Sequence, residues 1–176
     1  ENFLTTPAVG GLCTSSVYGA WEEAVINVPS PESKLLACET GWFGTLWKNM
    51  SQKLGIEVEW VESDWRRGVD PSIVADKLAA DSKKEIKAVC VVHSETSTGS
   101  MSRINKIRQA IDSTNHPALF MVDAISSLGC VEYKHDEWAV DVTISGSQKG
   151  LMLPPGLGLN AVSEKALEAS KLSSSR

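Results

Sequence analysis

The stretch IKAVCVVHSETSTGSMSRINKIRQAIDSTNHPALFMVD, residues 86–123, decides the fold. It opens on an apolar run, 86–93, whose hydrophobic residues follow one another without alternation, as a strand buried on both faces requires. A second such run, 117–123, closes it. Between them SRINKIRQAIDS sets Ile104, Ile107 and Ile111 on one stripe, with Arg103, Lys106 and Arg108 mostly off it, which is the pattern of an amphipathic helix. Strand, helix and strand at this spacing are the unit of a layered α/β sheet.

The same alternation extends both ways. Further strands are expected at 34–39, 56–61 and 141–146, and further helices in YGAWEEAVINV, LWKNMSQKLG and DPSIVADKLAADS. The last of these starts with Asp70 as N-cap and Pro71 at the first helical position. A three-layer α/β/α fold on a mainly parallel mixed sheet follows. The tail after Ala166 reads as polar and frayed. With 176 residues the chain can bury one sizeable core but not two ordinary domains. It starts at Glu1 and reads as a piece cut from something longer.

Composition narrows the function classes. Seventeen Lys and Arg against 22 Asp and Glu give a formal charge of −5, which argues against nucleic acid or an anionic membrane as partner. No apolar run reaches the length of a membrane span. Cysteines 13, 38, 90 and 130 contain no C-x-x-C pair and suit reduced, mostly buried thiols in a cytosol-like compartment. Histidines 93, 116 and 135 are scattered, so no metal site is expected.

In such sheets ligands gather at the carboxyl ends of the strands. Lys149, in SGSQKGLMLPPG just past a buried run, could form a Schiff base with a carbonyl, although a solvated loop lysine is the commoner state of such a residue. Asp123 ends an apolar strand and must find a cationic or hydrogen-bonding partner. The ring nitrogen of pyridoxal phosphate is one candidate, and the N-cap of a following short helix is an equal alternative. Thr96 and the Ser15–Gly19 stretch offer hydroxyls and backbone N–H groups to a cofactor hydroxyl or phosphate, or serve as ordinary turn and cap chemistry. Phe43, in the loop GWFG, could stack on a flat ring or simply pack. Gly156-Leu-Gly158-Leu-Asn-Ala161 matches the dinucleotide pattern G-x-G-x-x-A, but it follows LMLPP instead of a strand and is a coincidence.

Taken in order, YGAWEEAVINV, GWFGTLW, VESDW, IKAVCVVHSETSTG, HPALFMVDAISSLG, DEWAVDVTISGSQKGLMLPPGLG and SEKALEASK resemble the class V aminotransferases of the fold-type-I pyridoxal-phosphate enzymes. The likeness runs from about Ser15 to about Lys171 and is greatest to the serine–glyoxylate and alanine–glyoxylate branch. It implies pyridoxal 5'-phosphate as cofactor, transamination of serine or alanine with glyoxylate, and a homodimer of the full-length form. By this resemblance Lys149 is the Schiff-base lysine that also moves the α-proton, Asp123 the partner of the pyridine nitrogen, and Thr96 a hydrogen-bonder near the ring hydroxyl. Phe43 takes the place of the stacking aromatic, and Gln148 that of a cofactor-contacting glutamine. Cysteine desulfurases usually carry His at those last two places, which favours the aminotransferase branch. The phosphate loop departs from the family: Val17, Tyr18 and Gly19 follow Ser16, so Val17 stands where glycine lets a phosphate approach the backbone. The resemblance further implies that residues 1–176 are one partial large domain, without the small domain whose arginine grips the substrate carboxylate. Other readings are a different class V activity, such as an aminoethylphosphonate transaminase or a lyase, and a cofactor-free scaffold. Relatives in bacteria would be cytoplasmic, and those in plants and animals often peroxisomal.

Overall fold

A computed structural model describes residues 9–13 by their backbone, and residues 16–27 and 33–173 in full. Ser15, the Cys13 side chain and the last three residues, to which parts of the sequence reading refer, lie outside the described residues. Seven strands form one sheet: β1 (Val9–Cys13), β2 (Lys34–Cys38), β3 (Glu57–Val61), β4 (Ile86–Val92), β5 (Leu119–Asp123), β6 (Val142–Gly146) and β7 (Gly158–Val162). Their order is β1-β7-β6-β5-β4-β2-β3. Strands β3, β2, β4, β5 and β6 run parallel, and β7 is antiparallel to both β6 and β1.

Five helices cover the sheet: α1 (Val17–Asn27), α2 (Trp42–Lys53), α3 (Pro71–Ala80), α4 (Ile104–Ser113) and α5 (Glu164–Ser170). The strand period of two sorts the core into two layers. Leu36, Cys38, Val89, Val91, Phe120 and Val122 face α3 and α4, while Leu35, Ala37, Ala88, Cys90, Leu119 and Met121 face α1, α2 and α5. The stripe Ile104, Ile107 and Ile111 is buried as its spacing predicts, and Asp70 caps α3 by accepting the Ser72 N–H. Burying each such large apolar side chain contributes about 1.5–3 kcal/mol, so the two layers carry most of the favourable free energy.

Four expectations need correction. GWFG is not a loop, because α2 begins at Trp42, a full turn before the predicted Leu46. The first residues past Ala166 are helical: Ser163 caps α5 by accepting the Ala166 N–H, and the helix runs to Ser170. The segment Gly158–Val162, expected as part of a loop, is the antiparallel strand β7, so the dinucleotide match there is indeed a coincidence. Cys38 and Cys90 are buried as expected, but Cys130 is exposed.

After β3 the chain returns to place β4 on the other side of β2. The direction of strand addition therefore reverses between β2 and β4. The connections after these two strands start on either side of this reversal, at the carboxyl ends where ligands of such sheets gather.

Candidate active site

Among the described residues, Asp123, Lys149, Thr96, Phe43 and the first turn of α1 follow or end strands at this edge of the sheet, or pack on it. Asp123 is the last residue of β5 and is 3 % exposed. Its Oδ1 accepts the Ile125 N–H at 2.8 Å, and its Oδ2 accepts the indole N–H of Trp21 at 3.0 Å. The capping reading of Asp123 holds for one oxygen, which caps the following turn, while the other is taken by the indole of α1. Burial pushes its carboxyl up to about 7. The two hydrogen bonds and the charge of Lys149 pull the other way, and the charge of Glu95 adds to the rise.

Lys149 is exposed in the turn after β6. That turn abuts the one after Asp123: a Cβ on Gly150 would lie 2.2 Å from the Leu128 carbonyl oxygen, so only glycine lets the two loops touch. Ser147 fixes the turn by donating its hydroxyl to the Pro154 carbonyl. Beside it, the buried Gln148 Oε1 and Ser145 Oγ have no hydrogen-bond partner among the described residues.

Val17 begins α1 and packs on Gly146, where a Cβ would meet Val17 Cγ1 at 2.2 Å and Gln148 Oε1 at 3.0 Å. The first turn of α1, the site of the phosphate-loop residues Val17, Tyr18 and Gly19, therefore sits directly on the end of β6. Tyr18 is exposed and meets Trp21 edge-on at 5.2 Å. Thr96, after β4, lies with its hydroxyl 2.6 Å from that of Ser126, which follows Asp123. Phe43 is half-buried in the first turn of α2, with its backbone N–H directed at Glu95.

Sequence reasoning did not find Trp21, Glu95, Ser126 or Ser145. Trp21 lies one helical turn after Val17 and so shares its face, a spacing that points it at the site once α1 is placed there. Glu95 carried a fainter signal: it is the one acid in the hydroxyl-rich run HSETSTGS.

A mixed α/β/α sheet with a lysine, an aspartate and two helix N-termini gathered at its carboxyl edge is the large-domain architecture of the fold-type-I transferases. Ureidoglycine–glyoxylate aminotransferase from Bacillus subtilis superposes with a TM-score of 0.88 at 29% identity, over 97% of this chain and 43% of that one. The sequence profile of the family Aminotransferase class-V matches residues 17–174, and the chain belongs to that family. It is 48% identical over 174 residues to serine–glyoxylate aminotransferase of Methylorubrum extorquens, covering 99% of this chain and 43% of that enzyme. It is 44% identical to L-aspartate–glyoxylate aminotransferase of Paracoccus denitrificans, covering 94% of this chain and 42% of that enzyme. The chain thus spans less than half the length of the relatives it matches. No described helix is long and apolar enough to cross a membrane.

Proposed function

We propose that the full-length protein is a pyridoxal-phosphate-dependent aminotransferase that passes the amino group of serine or alanine to glyoxylate, and that residues 1–176 form part of its large domain. The observation that carries this reading is Asp123: a carboxyl buried at a strand end within the electrostatic reach of Lys149, with both oxygens oriented and no ion pair to a cation among the described residues. Such a group is suited to a ring nitrogen that becomes positive on protonation. The unpartnered Gln148 Oε1 and Ser145 Oγ, and the first turn of α1 lying against them, supply polar contacts for the remainder of the same molecule.

When bound, pyridoxal phosphate supplies an electron sink for the pair left behind when the substrate loses its α-proton. The chain's own residues do the rest. Asp123 holds the ring nitrogen charged, and Trp21 and Ile125 keep its carboxylate aimed. The Lys149 amine takes the proton from the substrate α-carbon and returns it at the neighbouring position. Phe43 covers one ring face and excludes water from it. Thr96 and Ser126, whose hydroxyls lie 2.6 Å apart, would offer a hydrogen bond to the ring oxygen. The N-terminal turn of α1, where unshared N–H groups and the helix dipole favour negative charge, takes the phosphate. We further propose that the full-length protein is a homodimer in a cytosol-like compartment, acting on small amino acids and 2-oxo acids.

Pyridoxal phosphate added to the chain should produce the absorption band of a protonated Schiff base, and borohydride should fix the label on Lys149, as peptide mass spectrometry would show. A label on another lysine, or no band in folded protein, overturns the reading; the second outcome is what a cofactor-free scaffold gives. Product analysis of the full-length protein with serine, alanine and aspartate against glyoxylate separates the donors, since relatives of similar identity are named for serine and for aspartate.

A further inference from the structure

Helix α2 carries Phe43, half-buried against the core layer that faces α1 and α2, yet its own sequence provides no cap. The N-cap residue is Gly41, which has no side chain to accept the first-turn N–H groups. Those groups are met from the loop after β4, on the other side of the strand-order reversal. Glu95, with 0 % of its surface exposed, accepts the Phe43 N–H through Oε1 at 3.4 Å and the Gly44 N–H through Oε2 at 3.2 Å. Its Oε1 also accepts the Ser97 N–H at 3.1 Å and the Ser97 hydroxyl at 2.7 Å. The Ser97 oxygen in turn accepts the Trp42 N–H at 2.9 Å.

The same loop grips one residue further back, where the hydroxyls of Thr98 and Ser100 both donate to the Thr40 carbonyl. Glycine at position 41 is a condition of this arrangement. A Cβ there would lie 2.5 Å from Glu95 Cγ and 2.5 Å from Ser97 Oγ.

We propose that Glu95, helped by Ser97, is a positioning residue for Phe43: it clamps the first turn of α2 and so fixes the aromatic ring against the cofactor plane. This rests on the role given to Phe43 above. The clamp answers a need specific to this place in the fold. At the reversal point α2 and the loop after β4 leave the sheet on diverging paths, so neither the sheet ladder nor α2's own cap fixes one against the other. A carboxylate taking two helix N–H groups, together with a hydroxyl taking a third, locks the translation and the rotation of the helix start. Because those N–H groups are spent on Glu95 and Ser97, the start of α2 has none left for a phosphate, which goes to α1 instead.

The test uses the 176-residue chain with pyridoxal phosphate as probe. In Glu95→Gln one oxygen becomes a donor facing other donors. Amide hydrogen exchange at Phe43 and Gly44 should then accelerate about tenfold or more while α3 and α4 stay unchanged, and the cofactor dissociation constant should rise about tenfold. The cofactor effect should largely vanish in a Phe43→Leu background, where Glu95→Gln should add less than about twofold, because two residues acting through one contact are not additive. Ser97→Ala, a milder change, should accelerate exchange at Trp42 and weaken the cofactor about threefold.

Unchanged exchange in both variants overturns the clamp. A full tenfold loss of cofactor affinity in both backgrounds shows that Glu95 acts on the fold at large and overturns its role toward Phe43. Failure of the unmutated chain to take up cofactor is a different result: it overturns the function proposed above, and the exchange data still decide whether Glu95 holds α2.

Discussion

Asp123 and His93 stand at the ends of neighbouring parallel strands, joined by the His93 N–H donated to the Asp123 carbonyl, and burial moves their proton affinities in opposite directions. The Asp123 carboxyl goes up from the usual 3.8 to about 7, and the His93 imidazole goes down from 6.5 to about 4. Between pH 3.8 and 7 the folded state holds the Asp123 proton more tightly than the unfolded chain, so stability from this group is lost as pH rises through that window. Between pH 4 and 6.5 the folded state binds fewer protons at His93, so its contribution is lost as pH falls. The two slopes oppose each other and largely cancel. Single variants should separate them in thermal unfolding followed against pH. The stability of Asp123→Asn relative to the unmutated chain should climb from about pH 4 to about pH 7 and then stay level. That of His93→Asn should climb as pH falls from about 6.5 to about 4. Saturating pyridoxal phosphate should flatten the Asp123 slope, since a cationic ring gives the carboxylate a partner. Parallel profiles for all three proteins would mean that neither group is desolvated as described.

At the level of elements, what was legible followed from chemistry local in sequence. The strands at 86–92 and 119–123 and the helix between them carry their own periodicity, and Asp123 and Lys149 stood out because each ends or follows an apolar run. What was missed depends on partners far along the chain. The first turn of α2 is helical because Glu95 and Ser97 cap it from some fifty positions on, and with no cap at Gly41 the segment reads as a loop. Strand β7 follows Pro154-Pro155-Gly156 and pairs antiparallel to β6, so neither its flanks nor its register resemble the buried parallel strands. Trp21 reads as a helix core residue, and only folding brings its indole to Asp123. A second prediction belongs to the junction of α1 with β6. Gly146→Ala drives a methyl into Val17 Cγ1 and should cost about 1–3 kcal/mol in denaturant unfolding. Val17→Ala in the same chain removes the colliding carbon and should restore most of that loss. Equal cost with and without Val17 would show that some other contact governs the junction.

For the molecule as a whole, the 176 residues by themselves span under half the length of the enzymes they resemble, and three of the described arginines are poorly placed to grip a substrate carboxylate. Arg108 is tied to Asp112 and Asp141, while Arg66 and Arg67 are exposed between β3 and α3. Holding the carboxylate so that the α-C–H bond stands across the ring is a positioning effect that can be worth several kcal/mol. The 176 residues expressed alone should therefore bind cofactor yet form pyruvate or hydroxypyruvate far more slowly than the full-length protein at saturating cofactor. Comparable turnover per Lys149 would show that the grip lies inside this stretch after all.

The pairing of β1 with β7 sets an order in time. Val9 meets Val162 and Cys13 meets Gly158, and α1, which directly follows β1 in the chain, packs on β6 and β7. During synthesis β1 and α1 must wait for β6 and β7, which come late among the described strands, before their main packing partners exist. The βαβ units between residues 34 and 123 close over shorter spans, and the long closure comes after them because its entropy is repaid only by contacts between segments far apart in the chain. The docking of α1 is what brings Trp21 to Asp123. The carboxylate at the centre of the site therefore stays open to water until β6 and β7 are in place, and α1, which precedes the other described helices in the chain, seals it only then.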